Sequence, residues 1–123
     1  MRSPALAAAL LAVGALTACS VDAKNAEPQH KTFPLPGKTL DVRAHGTPTD
    51  LVAADREDIE VTRWFDAKVG SKKQLRWKLD SDTLDLEAGC TGLALCDARF
   101  RVEVPRELAV LRDGRPTKLR GER

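Results

Sequence analysis

The chain has 123 residues, which is room for one domain at most. Its 20 Lys and Arg against 18 Asp and Glu leave a formal charge of +2, a balance that does not suggest a nucleic-acid partner. At 42 % apolar and 31 % charged residues it is no disordered charged tail, and 2 His with an odd count of 3 Cys leave few parts for a metal or acid–base centre.

The first segment, MRSPALAAALLAVGALTACS, divides into three. Arg2 and the amino terminus are positive, Ala5 to Leu16 is an apolar run, and small residues close it around Ala18. This is the layout of a secretory signal helix, too short to span a bilayer, which needs about 20 apolar residues. Leu16-Thr17-Ala18-Cys19 resembles the lipobox of bacterial lipoproteins. The resemblance implies a signal peptide over 1–18, cleavage between Ala18 and Cys19, and Cys19 carrying a diacylglycerol thioether and an N-acyl chain. Two or more acyl chains give stable anchoring where one gives only marginal binding. The protein is therefore expected at the cell membrane, lipid-anchored, on the extracytoplasmic face, where disulfides persist.

Residues 19–32 are read as the lipidated cysteine followed by a flexible linker. The stretch is polar, has no apolar periodicity and contains Pro28. Cys19 to Phe33 could then extend to about 50 Å.

From Phe33 the pattern has period two, the mark of half-buried strands. Leu40 and Val42 alternate with Asp41 and Arg43, and Leu51 and Ala53 follow the turn residues Gly46, Pro48 and Asp50. Ile59 and Val61, then Leu75, Trp77 and Leu79, then Leu84 and Leu86 repeat the pattern. Phe100, Val102 and Val104 follow, and a weaker run spans Leu108 to Leu111. No segment after the signal carries a helical stripe. The expected fold class is all-β, with six or seven short strands, antiparallel or stacked as in a solenoid, over 33–111. A basic polar tail is expected over 112–123.

Cys90 and Cys96 lie between two of these runs. They are read as a structural disulfide, with free thiols, and behind them metal or redox use, as the alternatives. No catalytic motif is found, His30 falls in the linker and His45 in a turn. Asp80, Asp82 and Asp85 are read as solvated turn carboxylates rather than a calcium site. Neither catalytic residues, a metal nor a cofactor other than the lipid is expected, and the protein is not expected to be an enzyme. Lys72, Lys73, Arg76 and Lys78 form a cationic strip suited to anionic headgroups or wall polymers, or else an ordinary solvated sheet face. Trp64 falls on the polar side of its strand, so either a bulge reorients it or it is an exposed aromatic of the kind found at interaction surfaces.

The stretch from Phe33-Pro34-Leu35-Pro36-Gly37 through LDVRAHGTPTDLVAADREDIEVTRWF to the LDLEAGC…LCDARFRVEVP block resembles the adhesin-type β-strand-repeat domain. This is a domain of unknown function common in actinobacterial exported proteins. The resemblance implies a β-solenoid or stacked sheets and no transferable active site. Members continue through further strands after the position of Pro105, so the ladder here is expected to be cut short. The expected function is a membrane-anchored lipoprotein displaying a small β-repeat binding or envelope-structural module, with a cell-envelope polymer or protein as partner. The alternatives are a truncated, non-functional fragment of a longer repeat protein and a hydrolytic enzyme of the envelope.

Overall fold

A computed structural model describes residues 21–68, 70, 72–91 and 95–117; the signal and lipobox residues, Cys19 included, lie outside the described residues. Nine strands form two mixed sheets. They are β1 (Gln29–Phe33), β2 (Thr39–Arg43), β3 (Thr49–Ala54), β4 (Ile59–Ala67), β5 (Lys72–Asp80), β6 (Thr83–Thr91), β7 (Cys96–Pro105), β8 (Ala109–Arg112) and β9 (Arg115–Pro116). The first sheet has the order β1-β4-β7-β3 and the second β5-β6-β2-β8-β9. No helix among the described residues is long and apolar enough to cross a membrane.

The expected runs are β2 to β8, and their alternation puts one face of each sheet inward. Leu40 and Val42 of β2, Leu84 and Leu86 of β6, Ile59 and Val61 of β4, and Phe100, Val102 and Val104 of β7 are buried between the sheets. Burying an apolar side chain of this size stabilises by about 1.5–3 kcal/mol, so these residues carry the fold. The sheets are mixed because the chain coils. β2 runs parallel to both β6 and β8, and β3 runs parallel to β7. A parallel neighbour demands a crossover, which the chain makes by passing to the other sheet and back: β6 to β7 to β8 is one such circuit. The solenoid-like part of the expectation is met here; the β1–β4, β4–β7, β5–β6 and β8–β9 pairs are antiparallel.

The body is longer at both ends than the period-two signal indicates. Residues 19–32 are not a linker over their described part. Ala23–Asn25 forms a 3-10 turn capped by Asp22, and Gln29–Phe33 pairs with β4 from Gln29↔Arg63 to Phe33↔Ile59. Four of the five β1 side chains are exposed, which is why no apolar alternation marks this edge strand, paired along its length to β4 with only Phe33 buried in the core. The described part of 112–123 is likewise not a free tail. Asp113 and Gly114 both have positive φ, 53° and 80°, as a two-residue type I′ hairpin turn requires, and they fold β9 back on β8. Gly114 N–H then donates to Asp41 Oδ1 at 2.9 Å, and Asp113 N–H to the Val42 carbonyl at 3.0 Å. Asp41, buried on the outer side of β2, also holds the Arg43 guanidinium at 2.8 Å.

Among the described residues one buried inward position is charged. Arg63 is 7 % exposed; its guanidinium lies 3.9 Å from the Trp77 ring centroid and donates to Gln29 Oε1 at 2.7 and 3.2 Å. Burial lowers its pKa from the ordinary value. The aromatic face and the amide oxygen replace the water that the cation loses, so Arg63 fills the space between β1, β4 and β5 where it interrupts the inward row from Val61 to Phe65.

Candidate binding surface

The outer face of the second sheet is built from the polar members of β2, β5 and β6. Register places Arg76 opposite Glu87, Lys78 opposite Asp85, and Arg43 opposite Asp85. Asp85 is the centre of this face. His45 Nε2 contacts its Oδ1 at 2.5 Å, and Arg76 Nε donates to its Oδ2 at 2.6 Å. Arg76 also reaches Glu87 at 2.9 Å. Burial works against the charge of Asp85, yet the hydrogen bonds from His45 and Arg76 and the positive charge beside it hold its pKa below the ordinary value. His45 reaches it because the turn at 44–47 has positive φ at His45 (52°) and Gly46 (84°), closed by Thr47 N–H donating to the Ala44 carbonyl at 3.0 Å.

Around this centre lies a concavity of about 610 Å³ lined by Arg43, His45, Arg76, Lys78, Asp80, Ser81, Thr83 and Asp85. Of its cations Arg43 and Arg76 are paired to carboxylates, while Lys78 has no carboxylate partner among the described residues. The surface therefore offers hydroxyls, the engaged carboxylate of Asp85, the carboxylate of Asp80 and the ammonium of Lys78. These groups can donate to and accept from hydroxyls, and Lys78 can pair with an anion.

Because the pKa of Asp85 is lowered in the folded state, its stabilising contribution is present in full above the ordinary carboxylate range. It is lost as pH falls through the folded value. Wild type and Asp85→Asn are expected to differ in thermal midpoint at pH 7, with the gap narrowing as pH falls below about 4 and closing only below the folded value. A gap that stays constant down to pH 3 in a melting series would show that the Asp85 charge plays no part.

The expected strip is thus divided. Arg76 and Lys78 belong to this concavity, whereas Lys72 and Lys73 open β5 at its other end, opposite Thr91 and Cys90. The Cys90–Cys96 disulfide is formed, with a Cα–Cα distance of 6.3 Å, and joins the end of β6 to the start of β7. Trp64 stays on the outer face of the first sheet, and the β4–β7 register runs through it without a bulge, Trp64 facing Arg99. It is half-buried under two guanidinium groups, Arg99 at 5.2 Å and Arg101 at 5.9 Å from its ring. His30 is on β1, with Nδ1 3.0 Å from Thr62 Oγ1.

On that same outer face two acid pairs stand directly across from each other, Glu60↔Glu103 and Asp66↔Asp97. Like charges in such positions destabilise a sheet. Arg56 relieves the first, 3.3 Å from both Glu60 Oε1 and Glu103 Oε1 and 2.8 Å from Asp58. The second is relieved by backbone. Asp22 N–H donates to Asp66 Oδ2 at 2.8 Å and Ala23 N–H to Asp97 Oδ2 at 2.7 Å, with Ala23 buried. Neither the His45–Asp85 contact nor this N-terminal clamp has a signal in the sequence. The first depends on a parallel pairing of strands about 40 residues apart, and the second on main-chain donors that every residue type carries.

Compared with known proteins, the chain matches no family model and no curated protein. Among solved structures it is similar to a "putative cell adhesion protein" from Clostridium sporogenes, at 12 % identity and a TM-score of 0.39. The similarity covers 70 % of this chain and 45 % of that one, so the chain spans less than half the length of that protein.

Proposed function

We propose that the protein is an exported lipoprotein, anchored through Cys19 on the extracytoplasmic face of the cell membrane. Its β-body acts as a binding or envelope-structural module of adhesin type. The observation that carries this reading is the use of the cysteines. Cys90 and Cys96 are joined, a bond that belongs to an oxidising compartment, and Cys19 is left directly behind Leu16-Thr17-Ala18. A thiol in that place is the one nucleophile suited to take a lipid, and cleavage before it frees an amine for a further acyl chain. The body works by recognition rather than by a chemical step. The outer face of the second sheet, around Arg76 and Lys78, takes a cell-envelope polymer or protein. The similarity of the LDLEAGC…VEVP block to adhesin-type repeats supports a display role.

Radiolabelled palmitate supplied to expressing cells is expected to appear in the wild-type protein, which fractionates with membranes. Cys19→Ala is expected to lose the label and most of the membrane association. A Cys19→Ala protein that is labelled and membrane-bound like wild type would falsify the anchor.

A further inference from the structure

The N-terminal clamp changes what a lipid at Cys19 would do. If 19–32 were free, the body could wander tens of ångströms from its anchor. The hydrogen bonds from Asp22 and Ala23 to the carboxylates of Asp66 and Asp97 fasten the chain three residues after Cys19. Three residues extend to about 11 Å at most. The clamp sits at one end of the molecule, because Asp66 is next to last in β4 and Asp97 is second in β7.

We infer that this end of the body, bearing Lys68, Lys72, Lys73 and Leu95, lies against a bilayer that contains anionic lipid. The inference rests on the proposed anchor at Cys19 and deepens it. Lys68 follows β4 directly and its N–H donates to the Leu95 carbonyl at 3.0 Å. Lys72 and Lys73 begin β5 beside Thr91 and Cys90, and Cys90 is bridged to Cys96. These residues are therefore gathered at the clamped end by register and by the disulfide. All three lysines are exposed and none has a carboxylate partner among the described residues. Leu95 is 58 % exposed, the most of any large apolar side chain described.

The acids at this end are Asp22, Asp66 and Asp97. Each is engaged by backbone N–H, Asp22 Oδ1 accepting from Lys24 at 3.0 Å and the other two holding the clamp. Backbone hydrogen bonds leave these carboxylates their charge, and Asp97 is exposed; the lysines and Leu95 are the exposed groups left without a partner among the described residues, within about a Debye length of the headgroups to which the acyl chains would be fixed. Each cation near an anionic leaflet favours binding roughly fivefold, and the acids at this end offset part of the roughly hundredfold that three would give. β5 leaves this end at about 3.3 Å per residue, which sets Lys78 and the Arg76 concavity roughly 15–20 Å above the lysine cluster. The recognition face is then presented sideways along the membrane at a set height.

The test uses the full-length lipidated protein in vesicles of phosphatidylcholine alone or with phosphatidylglycerol, read by hydrogen exchange. Amides over 66–73 and 95–97 are expected to exchange at least tenfold more slowly on phosphatidylglycerol vesicles than on phosphatidylcholine. Lys68→Glu/Lys72→Glu/Lys73→Glu is expected to stay on both vesicle types through its acyl chains and to lose that protection. Unchanged protection of the β7 amides would show that the variant is folded. Equal exchange on the two lipids, or full protection in the triple variant, overturns the docking while leaving the anchor intact. A wild-type protein without acyl mass that leaves phosphatidylcholine vesicles overturns the anchor, and the docking with it.

Discussion

Phe100→Ala is expected to lower the stability of the body by about 3–5 kcal/mol, the range for deleting a fully buried aromatic ring. Phe100 is inaccessible to solvent and lies on β7, the strand paired to both β4 and β3. Its neighbours cannot close over the gap, because Arg63 opposite it is held by Gln29 and Trp77 and Thr49 by its own strand pairing. A loss of that size in a domain of about 100 residues lowers Tm by 12 °C or more. Urea unfolding followed by circular dichroism measures it directly. A cost below 1 kcal/mol would mean that the ring is not packed between the two sheets.

Removing the Cys90–Cys96 bond is the second large change expected. The closed loop is short, five residues between the cysteines, so the chain-entropy argument assigns about 2 kcal/mol. Cys90→Ser/Cys96→Ser should melt lower than wild type, and reductant should bring wild type down to the level of the variant without moving the variant further. The loss should be local as well as global. The bond ties the β6 terminus, opposite Lys73, to the β7 start, opposite Ala67, at the crossover from one sheet to the other. Amides of 88–91 and 96–98 should lose exchange protection first. If reductant leaves Tm and these amides unchanged, the cysteines are not paired in the folded protein.

The inward rows of β2, β4, β6 and β7 can be read from alternation because each strand needs only its own residues to show which face is apolar. The same rule hides β1, whose side chains are mostly solvent-facing and which buries only Phe33. It gives a split reading of β4, where Arg63 takes an inward place behind Ile59 and Val61. Asp113-Gly114 is a dipeptide suited to a hairpin turn, but without alternating apolar residues around it the signal is weak. Its polar, basic surroundings make the segment look like a tail. At the binding surface, Arg76 and Lys78 stand out by composition, but Lys72 and Lys73 separate from them only once β5 is laid on β6. Asp85 looks like any turn acid until His45 arrives beside it.

Local chemistry in the chain suffices for the all-β class and the identity of most core residues, and it favours a bond between Cys90 and Cys96. Each of these depends on periodicity or spacing within a few residues. Tertiary structure decides the rest: the parallel placement of β2 beside β6, the His45–Asp85–Arg76 cluster, Arg63 beneath Trp77, and the clamp of Asp22 and Ala23 on Asp66 and Asp97. These contacts join positions 9 to 74 residues apart, and they exist because two closing sheets oblige particular outer and inner side chains to meet. Main-chain donors complete the clamp, and a main-chain donor has no residue type by which it could be recognised in advance.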